Sequence, residues 1–395
     1  MNCHFLKILI LVLCLGHSAC AALLPLEPTV TPTPVPSATP TPLPTSTPTP
    51  TPTSTSTPTP TLTPTPTLLV AEGTLLPSFF TPITRSNASQ VSALTKWQGK
   101  PVTDLAWIPG TLQLAVASPQ NIDIYELASR EVVRSLYPQT QDIVSIAFSP
   151  DNNWLLAGSR RDAGGGTSAS ALELWYGSDL KPLGVLYGTP GGLTEVAFAP
   201  NNRSAFVSYT ALEPDQLGEL DTWNLPGWVI SDTLKTGTML EFGISPDGLH
   251  LATTPNRYQI LIFNIPSHEL LYKPFTSFTG AVSSLAFSPD NVTLATGHYD
   301  GTIRLWDLNT GQVRQLIRKE GIIESLAFSP DGTLLAAGNS YATPLISLLA
   351  SDSGETLREL EGHERSVDQI LFSPDGQVLA SGSYDGDVRL WGIRP

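Results

Sequence analysis

Cysteine is nearly absent from this sequence, and its three copies, Cys3, Cys14 and Cys20, all lie within the first twenty residues. A disulfide framework in the rest of the chain is therefore excluded, whatever the compartment. Histidine is also scarce, and no cysteine accompanies the four downstream histidines, His250, His268, His298 and His363. Because these histidines are spread over distant parts of the chain, we predict no metal site and no cofactor.

Charged residues are missing from residues 29–71, where Thr, Pro and Ser predominate. Such a composition cannot bury enough apolar surface to form a core. The dense prolines favour extended polyproline II, which rises about 3.1 Å per residue. We therefore predict a disordered stalk over residues 21–71 that reaches on the order of 100 Å, followed by a connecting segment over residues 72–90.

Acidic residues outnumber basic residues in the rest of the chain. Only Lys7 and Glu27 are charged before residue 68, so the rest of the chain carries 20 basic and 34 acidic residues. A negative excess of this size repels the phosphate backbone of nucleic acids. We predict no nucleic-acid partner.

The N-terminus has a short apolar run rather than a long one. Residues 8–15 (ILILVLCL) follow Lys7 and precede Ser18, Ala19 and Cys20, which is the layout of a signal peptide over residues 1–20 and too short for a membrane span. The stretch resembles a bacterial lipoprotein signal, which implies a lipid on Cys20, although His17 stands where that pattern prefers leucine. The predicted location is extracytoplasmic: a membrane-anchored lipoprotein on the cell surface or in the envelope, or otherwise a secreted protein.

The part of the chain that is predicted to fold is built from sequence repeats. A proline recurs seven times at gaps of 41 to 50 residues, and a large apolar residue stands two places before each one. That residue ends a short alternating run such as SSLAF, which is typical of a half-buried strand. Asp-Gly or Asp-Asn pairs follow in most repeats, and they tolerate the positive φ of a tight hairpin. The prolines are Pro109, Pro150, Pro200, Pro246, Pro289, Pro330 and Pro374.

Each repeat then continues with three further strands. The third ends on a bulky residue in one slot, and a more polar fourth strand precedes the next repeat. A four-stranded unit of this length cannot bury both of its faces alone. We predict an all-β fold over residues 91–395: a seven-bladed β-propeller of four-stranded antiparallel blades. The last repeat lacks a fourth strand, so the segment Val91 to Gln98 is predicted to pair into that blade and close the ring.

These repeats resemble the WD40 family, most clearly in residues 361–391 (EGHERSVDQILFSPDGQVLASGSYDGDVRLW) and in residues 284–308 (SLAFSPDNVTLATGHYDGTIRLWDL). The resemblance implies a buried hydrogen-bonded tetrad in repeat 7, formed by His363, Ser381, Asp385 and Trp391. Repeat 5 would keep a partial tetrad, Thr296, Asp300 and Trp306. It has Phe278 in the histidine slot, and His298 is a candidate replacement for the missing histidine.

A catalytic role is not expected for these residues. Ser381, His363 and Asp385 are the residue types of a hydrolytic triad, but the resemblance implies that they satisfy one another inside a blade. The sequence has no phosphate loop, HExxH motif or nucleophile elbow. We predict no catalytic residues and no enzymatic activity.

Insertions indicate where a partner would bind. Repeats 2 and 3 are lengthened between their second and third strands, which places five candidate contacts on one rim: Arg160, Arg161, Asp162, Glu213 and Asp215. The predicted function is a monomeric, non-enzymatic protein-interaction scaffold displayed outside the cytoplasm, with protein partners and with membrane contact only through the lipid. The alternatives are a propeller enzyme with a central-channel site, and an envelope-assembly or glycan-binding propeller.

Overall fold

The computed structural model describes residues 80–99, 101–140, 142–162, 168–177, 179–210, 218–237, 241–272, 275–276, 280–340 and 344–394. Within these residues the regular secondary structure is 27 strands and one short 3₁₀ turn, Ala88–Gln90. None of the described helices is long and apolar enough to cross a membrane. The all-β prediction is confirmed.

The strands form seven antiparallel sheets arranged as the blades of a propeller. Blade 1 is β2 to β5, blade 2 is β6 to β9, blade 3 is β10 to β13, blade 4 is β14 to β16, blade 5 is β17 to β20, blade 6 is β21 to β24, and blade 7 is β25 to β27 with β1. In chain order the bounds are β1 Ser92–Gln98, β2 Asp104–Trp107, β3 Gln113–Ala117, β4 Ile122–Glu126, β5 Val132–Leu136, β6 Ile143–Phe148, β7 Trp154–Asp162, β8 Ser168–Tyr176, β9 Lys181–Pro190, β10 Gly192–Phe198, β11 Ser204–Thr210, β12 Gly218–Asn224, β13 Val229–Gly237, β14 Phe242–Ile244, β15 His250–Thr253, β16 Leu261–Asn264, β17 Val282–Phe287, β18 Thr293–His298, β19 Thr302–Asp307, β20 Gln312–Arg318, β21 Ile322–Phe328, β22 Leu334–Ser340, β23 Leu345–Ala350, β24 Thr356–Glu361, β25 Val367–Phe372, β26 Val378–Ser383 and β27 Asp387–Gly392.

Ring closure follows the predicted plan. The strand β1 pairs antiparallel with β27, from Ser92 opposite Gly392 to Gln98 opposite Asp387. The last blade therefore combines three strands from the end of the chain with one from the start of the folded part. This arrangement removes the two open sheet edges that a linear array would leave.

Blade 4 pairs three regular strands, β14 to β16, among its described residues. Beyond β16 the antiparallel pairing continues, in the place of the fourth strand, as two isolated bridges, Phe263 to Leu270 and Ile260 to Phe275. Residues 273–274 and 277–279 of this segment lie outside the described part of the chain.

The turns between the first and second strands of the blades share one hydrogen-bonded conformation. In five blades a serine hydroxyl lies 2.5 to 2.6 Å from the carboxylate of the aspartate two residues later. The next residue has positive φ, as at Gly332 (71°) and Asn291 (60°). The Oδ1 of Asn291 also accepts from the backbone N–H of Asp247 in the preceding blade, at 3.1 Å. These turns define one end of the ring, which we call the turn face.

The opposite end carries the connections from second to third strand and from blade to blade, and we call it the loop face. The two sets of connections bond to each other, as in Tyr299 N–H to Ala281 carbonyl at 2.8 Å and Tyr384 N–H to Ser366 carbonyl at 3.2 Å. The first strand of each blade therefore starts at the loop face and runs toward the turn face.

The chain enters the propeller along the turn face. Ile83 is buried and its N–H donates to the Gly376 carbonyl at 2.8 Å. Phe80 N–H donates to Gln377 Oε1 at 2.6 Å, and the Arg85 guanidinium lies 2.5 Å from Asp352. The segment that precedes β1 is thus fixed to the turns of blades 6 and 7.

Candidate interaction face and central channel

A buried hydrogen-bonded chain links four side chains of blade 7. Trp391 Nε1 donates to Ser381 Oγ at 2.9 Å, and Ser381 Oγ lies 2.7 Å from His363 Nε2. His363 Nδ1 lies 3.0 Å from Asp385 Oδ2. One assignment of protons satisfies every group: the indole N–H donates to the serine, the serine O–H to Nε2, and the Nδ1–H to the carboxylate.

The surroundings of His363 within this hydrogen-bonded group of side chains favour the neutral form of its ring. Burial lowers the pKa of His363, and the neighbouring Asp385 only partly opposes it. Burial acts to raise the pKa of Asp385, but the backbone N–H groups of Glu364 and Asp387 outweigh it and the net pKa is lowered. The Ser381 hydroxyl donates and accepts within the chain, so the geometry supports rigidity of the blade rather than nucleophilic attack.

Blade 5 builds a related chain from a different histidine position. Trp306 Nε1 donates to Thr296 Oγ1 at 3.0 Å, and Thr296 Oγ1 lies 2.9 Å from His298 Nε2. His298 Nδ1 lies 3.0 Å from the Gly280 carbonyl, and burial lowers the pKa of His298 to about 4. Asp300 lies apart and accepts from Thr302 N–H and Oγ1. His298, not Asp300, thus extends the chain from Thr296 and Trp306, while Phe278 is outside the described residues.

The inner strands of the ring enclose a channel with a cavity of about 380 Å³. Five carboxylates from five blades line it, each within the first four residues of an inner strand or directly before one. They therefore lie toward the loop face. They are Asp104, Glu195, Glu241, Glu324 and Asp368.

Several channel carboxyls hold their protons unusually tightly. Burial is the main cause in each case; it raises the pKa of Glu241 to about 8 and those of Asp104 and Asp368 to about 6. The pKa of Glu195 is also raised by burial and, next, by the charge of Glu241. For Glu241 the charge of Arg257 lowers the pKa and that of Glu324 raises it, both by less than burial does. At neutral pH the channel thus combines protonated carboxyls such as Glu241 with ionised ones such as Asp104 and Asp368, which give it a negative charge.

Exposed tyrosines stand on the loop face of the ring. In the described loops of that face, the exposed large hydrophobic side chains are Tyr137 (75 % exposed), Tyr258 (56 %), Tyr299 (43 %) and Tyr384 (65 %), from blades 1, 4, 5 and 7. The Arg257 guanidinium lies 5.2 Å from the centroid of the Tyr299 ring and donates to its hydroxyl at 2.5 Å. We call these four tyrosines and Arg257 the tyrosine rim.

Four segments of the chain match the model of a known repeat family. The model of the WD domain, G-beta repeat, matches residues 130–163, 271–307, 312–341 and 354–392. The chain contains WD40 repeats. The match to residues 354–392 includes the four-membered hydrogen-bonded chain of blade 7, and the match to residues 271–307 includes the chain of blade 5.

Curated relatives of the WD40 segments belong to much longer proteins. The chain is 25 % identical over 201 residues to apoptotic protease-activating factor 1 of Homo sapiens, which covers 49 % of this chain and 14 % of the relative. It is 33 % identical over 153 residues to periodic tryptophan protein 2 of Arabidopsis thaliana, covering 38 % and 17 %. It is 23 % identical over 146 residues to autophagy-related protein 16 of Arabidopsis thaliana, covering 36 % and 27 %. The chain thus spans well under a third of the length of these relatives.

Three of the five candidate partner residues lie in a strand rather than in the loop that we expected. Arg160, Arg161 and Asp162 belong to β7, because the hairpin of β7 and β8 is longer than in the other blades. Arg160 Nε donates to the Leu193 carbonyl of blade 3 at 2.7 Å, so it braces two blades. The side chains of Arg161 and Asp162, and all of Glu213 and Asp215, are outside the described residues.

The channel carboxylates and the tyrosine rim of the propeller were not predicted from the sequence. The signal for the carboxylates was present in the repeat alignment, three or four places before the large apolar residue that ends each inner strand. Read down the repeats, those places hold Asp104, Glu195, Glu241, Glu324 and Asp368. In the part of the chain that the structure describes, no group of three or more His, Cys, Asp or Glu side chains has the arrangement of a metal site.

Proposed function

We propose that this chain is a non-enzymatic protein-interaction scaffold, displayed outside the cytoplasm, whose partner surface is the loop face. The tyrosine rim carries the proposal. Tyrosine and arginine are enriched at the energetic centres of protein interfaces, since tyrosine gives a large amphipathic contact at low entropic cost. Four such side chains exposed on one face of a rigid ring form a surface suited to binding.

The entry of the chain on the turn face supports this choice of surface. Phe80 and Arg85 are fixed to turns of blades 6 and 7, at the end of the ring opposite the tyrosine rim. The segment from Phe80 to Arg85 therefore lies away from the loop face.

The partner surface is tested by display of random twelve-residue peptides against the immobilised full chain carrying Cys20→Ser. We expect the native rim to enrich a restricted peptide set, and Tyr258→Ala with Tyr299→Ala to reduce recovery at least tenfold, because both removed rings are anchors. The control is Leu183→Ala with Val229→Ala, two exposed side chains of outer strands. Equal loss in the control would refute the loop face as the binding surface.

The anchor is tested by membrane fractionation of the chain expressed in a bacterial host. We expect the native chain in the membrane fraction, with an intact mass that starts at Cys20 and includes acyl groups, and Cys20→Ser in the soluble fraction. Cys14→Ser serves as the control and should leave the fractionation unchanged. An unmodified soluble native chain would replace the anchored scaffold by a secreted one.

The channel carboxylates favour a second candidate, a hydrolase whose site is assembled across blades. Carboxyls with raised pKa values, such as Glu241, are suited to general acid catalysis near neutral pH. Hydrolysis of a glycoside or ester that disappears in Glu241→Gln would favour this function over the scaffold.

A further inference from the structure

We propose that the partner of the loop face presents a lysine or arginine side chain, which passes between the tyrosines of the rim and enters the acidic channel. This inference rests on the proposed function and specifies the chemistry of the partner. It commits to a protein segment with a cationic residue at its centre and aromatic or apolar residues beside it.

The first support is the continuity between the rim and the channel. Tyr299 follows β18, whose residue His298 is paired with Val282 at the start of the inner strand β17. Arg257 of the rim is bonded through its carbonyl to Val282 N–H at 2.7 Å. A partner segment bound to these rim residues therefore lies near the channel carboxylates, because the carboxylates also lie at the loop-face ends of the inner strands.

The second support is charge complementarity. Five carboxylates converge on a cavity of about 380 Å³ whose described lining contains no lysine or arginine. The neighbouring cation is Arg257 of the rim, whose charge lowers the pKa of Glu241 without offsetting the effect of burial. The carboxylates raise one another's affinity for protons, as Glu241 does for Glu195. A cation that enters relieves this repulsion, and a guanidinium or ammonium on a long apolar stem can reach into a narrow site with its charged end.

The third support is the chemistry of the rim itself. The face of a tyrosine ring attracts cations, and Arg257 already occupies this position over Tyr299 within the chain. Tyr137, Tyr258 and Tyr384 offer further exposed rings on the same face of the ring. The route into the channel is therefore favourable for a cationic side chain at each step, from aromatic rim to carboxylate.

The test reads the sequences of the peptides that the full chain enriches. We expect lysine or arginine at one position at least threefold above its frequency in the input library, and Glu195→Gln with Glu241→Gln and Glu324→Gln to lose this preference. The control removes the same number of charges from exposed positions elsewhere, with Glu131→Gln, Glu269→Gln and Glu355→Gln, and should keep it. An enriched synthetic peptide should bind at least tenfold more weakly once its basic residue is replaced by glutamine.

The outcomes separate the two proposals. Enrichment that depends on Tyr258 and Tyr299 but shows no basic preference overturns the cationic partner and leaves the loop face as the interaction surface. A basic preference that the channel variant and the control share reflects net charge alone and also overturns it. Failure of the native chain to enrich any peptide overturns the interaction surface itself, and with it this inference.

Discussion

A chain that begins at Lys100 is expected to lose the folded propeller. It lacks β1, which pairs along the whole of β27, and it lacks the segment before β1 that is fixed to blades 6 and 7. The removed part contains four side chains that are almost completely buried in the native propeller: Ile83, Val91, Leu94 and Trp97. At about 1.5 to 3 kcal/mol for each buried side chain, the loss is comparable with the roughly 5 to 15 kcal/mol that stabilises a typical domain.

The open edge adds a second cost. Without β1, the N–H and C=O groups along one side of β27 have no partner, and such an edge pairs readily with other chains. We expect aggregation, or loss of the cooperative thermal transition, by circular dichroism and size-exclusion chromatography. The control begins at Pro77, keeps the whole described N-terminal segment, and should melt within about 2 °C of the native chain. A Lys100 chain that melts like the native one would show that β1 is dispensable for closure.

The ring could be predicted from the sequence because the patterns that specify it are local and recur in every repeat. The alternation of apolar residues fixes which face of a strand is buried, and the Asp-Gly and Asp-Asn pairs fix the hairpins. The missing fourth strand of repeat 7 and the unassigned strand before repeat 1 then leave one way to close the ring. The structure shows that pairing between β1 and β27.

Features that depend on contacts between blades were predicted less well. The interblade hydrogen bond of Arg160 to Leu193 and the convergence of Glu195 with Glu241 require the ring to be closed before they exist.

The chain with Glu195→Gln, Glu241→Gln and Glu324→Gln is expected to be more stable than the native chain above pH 7. Burial raises the pKa of Glu241 to about 8, against the opposing charge of Arg257 and with a smaller contribution from Glu324. Burial and then the charge of Glu241 raise the pKa of Glu195 well above its usual range. A carboxyl whose pKa is raised by folding stays protonated in the folded chain while it ionises in the unfolded one. The unfolded state therefore gains stability as the pH rises, until the folded group has also ionised.

The window from pH 7 to pH 9 isolates this effect. Burial lowers the pKa values of His298 and His363, so both are neutral there in either state. Asp104 and Asp368, with pKa values of about 6, are largely ionised in either state. The melting temperature of the native chain should thus fall from pH 7 to pH 9, while that of the triple amide chain stays level. At pH 9 we expect the amide chain to be more stable by about 4 kcal/mol, or roughly 10 °C.

The control for this prediction removes the same charge without touching the channel. Glu131→Gln, Glu269→Gln and Glu355→Gln lie at exposed positions, where single charges contribute little to stability. That chain should follow the native pH dependence within about 2 °C. Parallel pH profiles for the native and the channel variants would mean that folding does not raise the pKa values of Glu195 and Glu241, and would contradict this prediction.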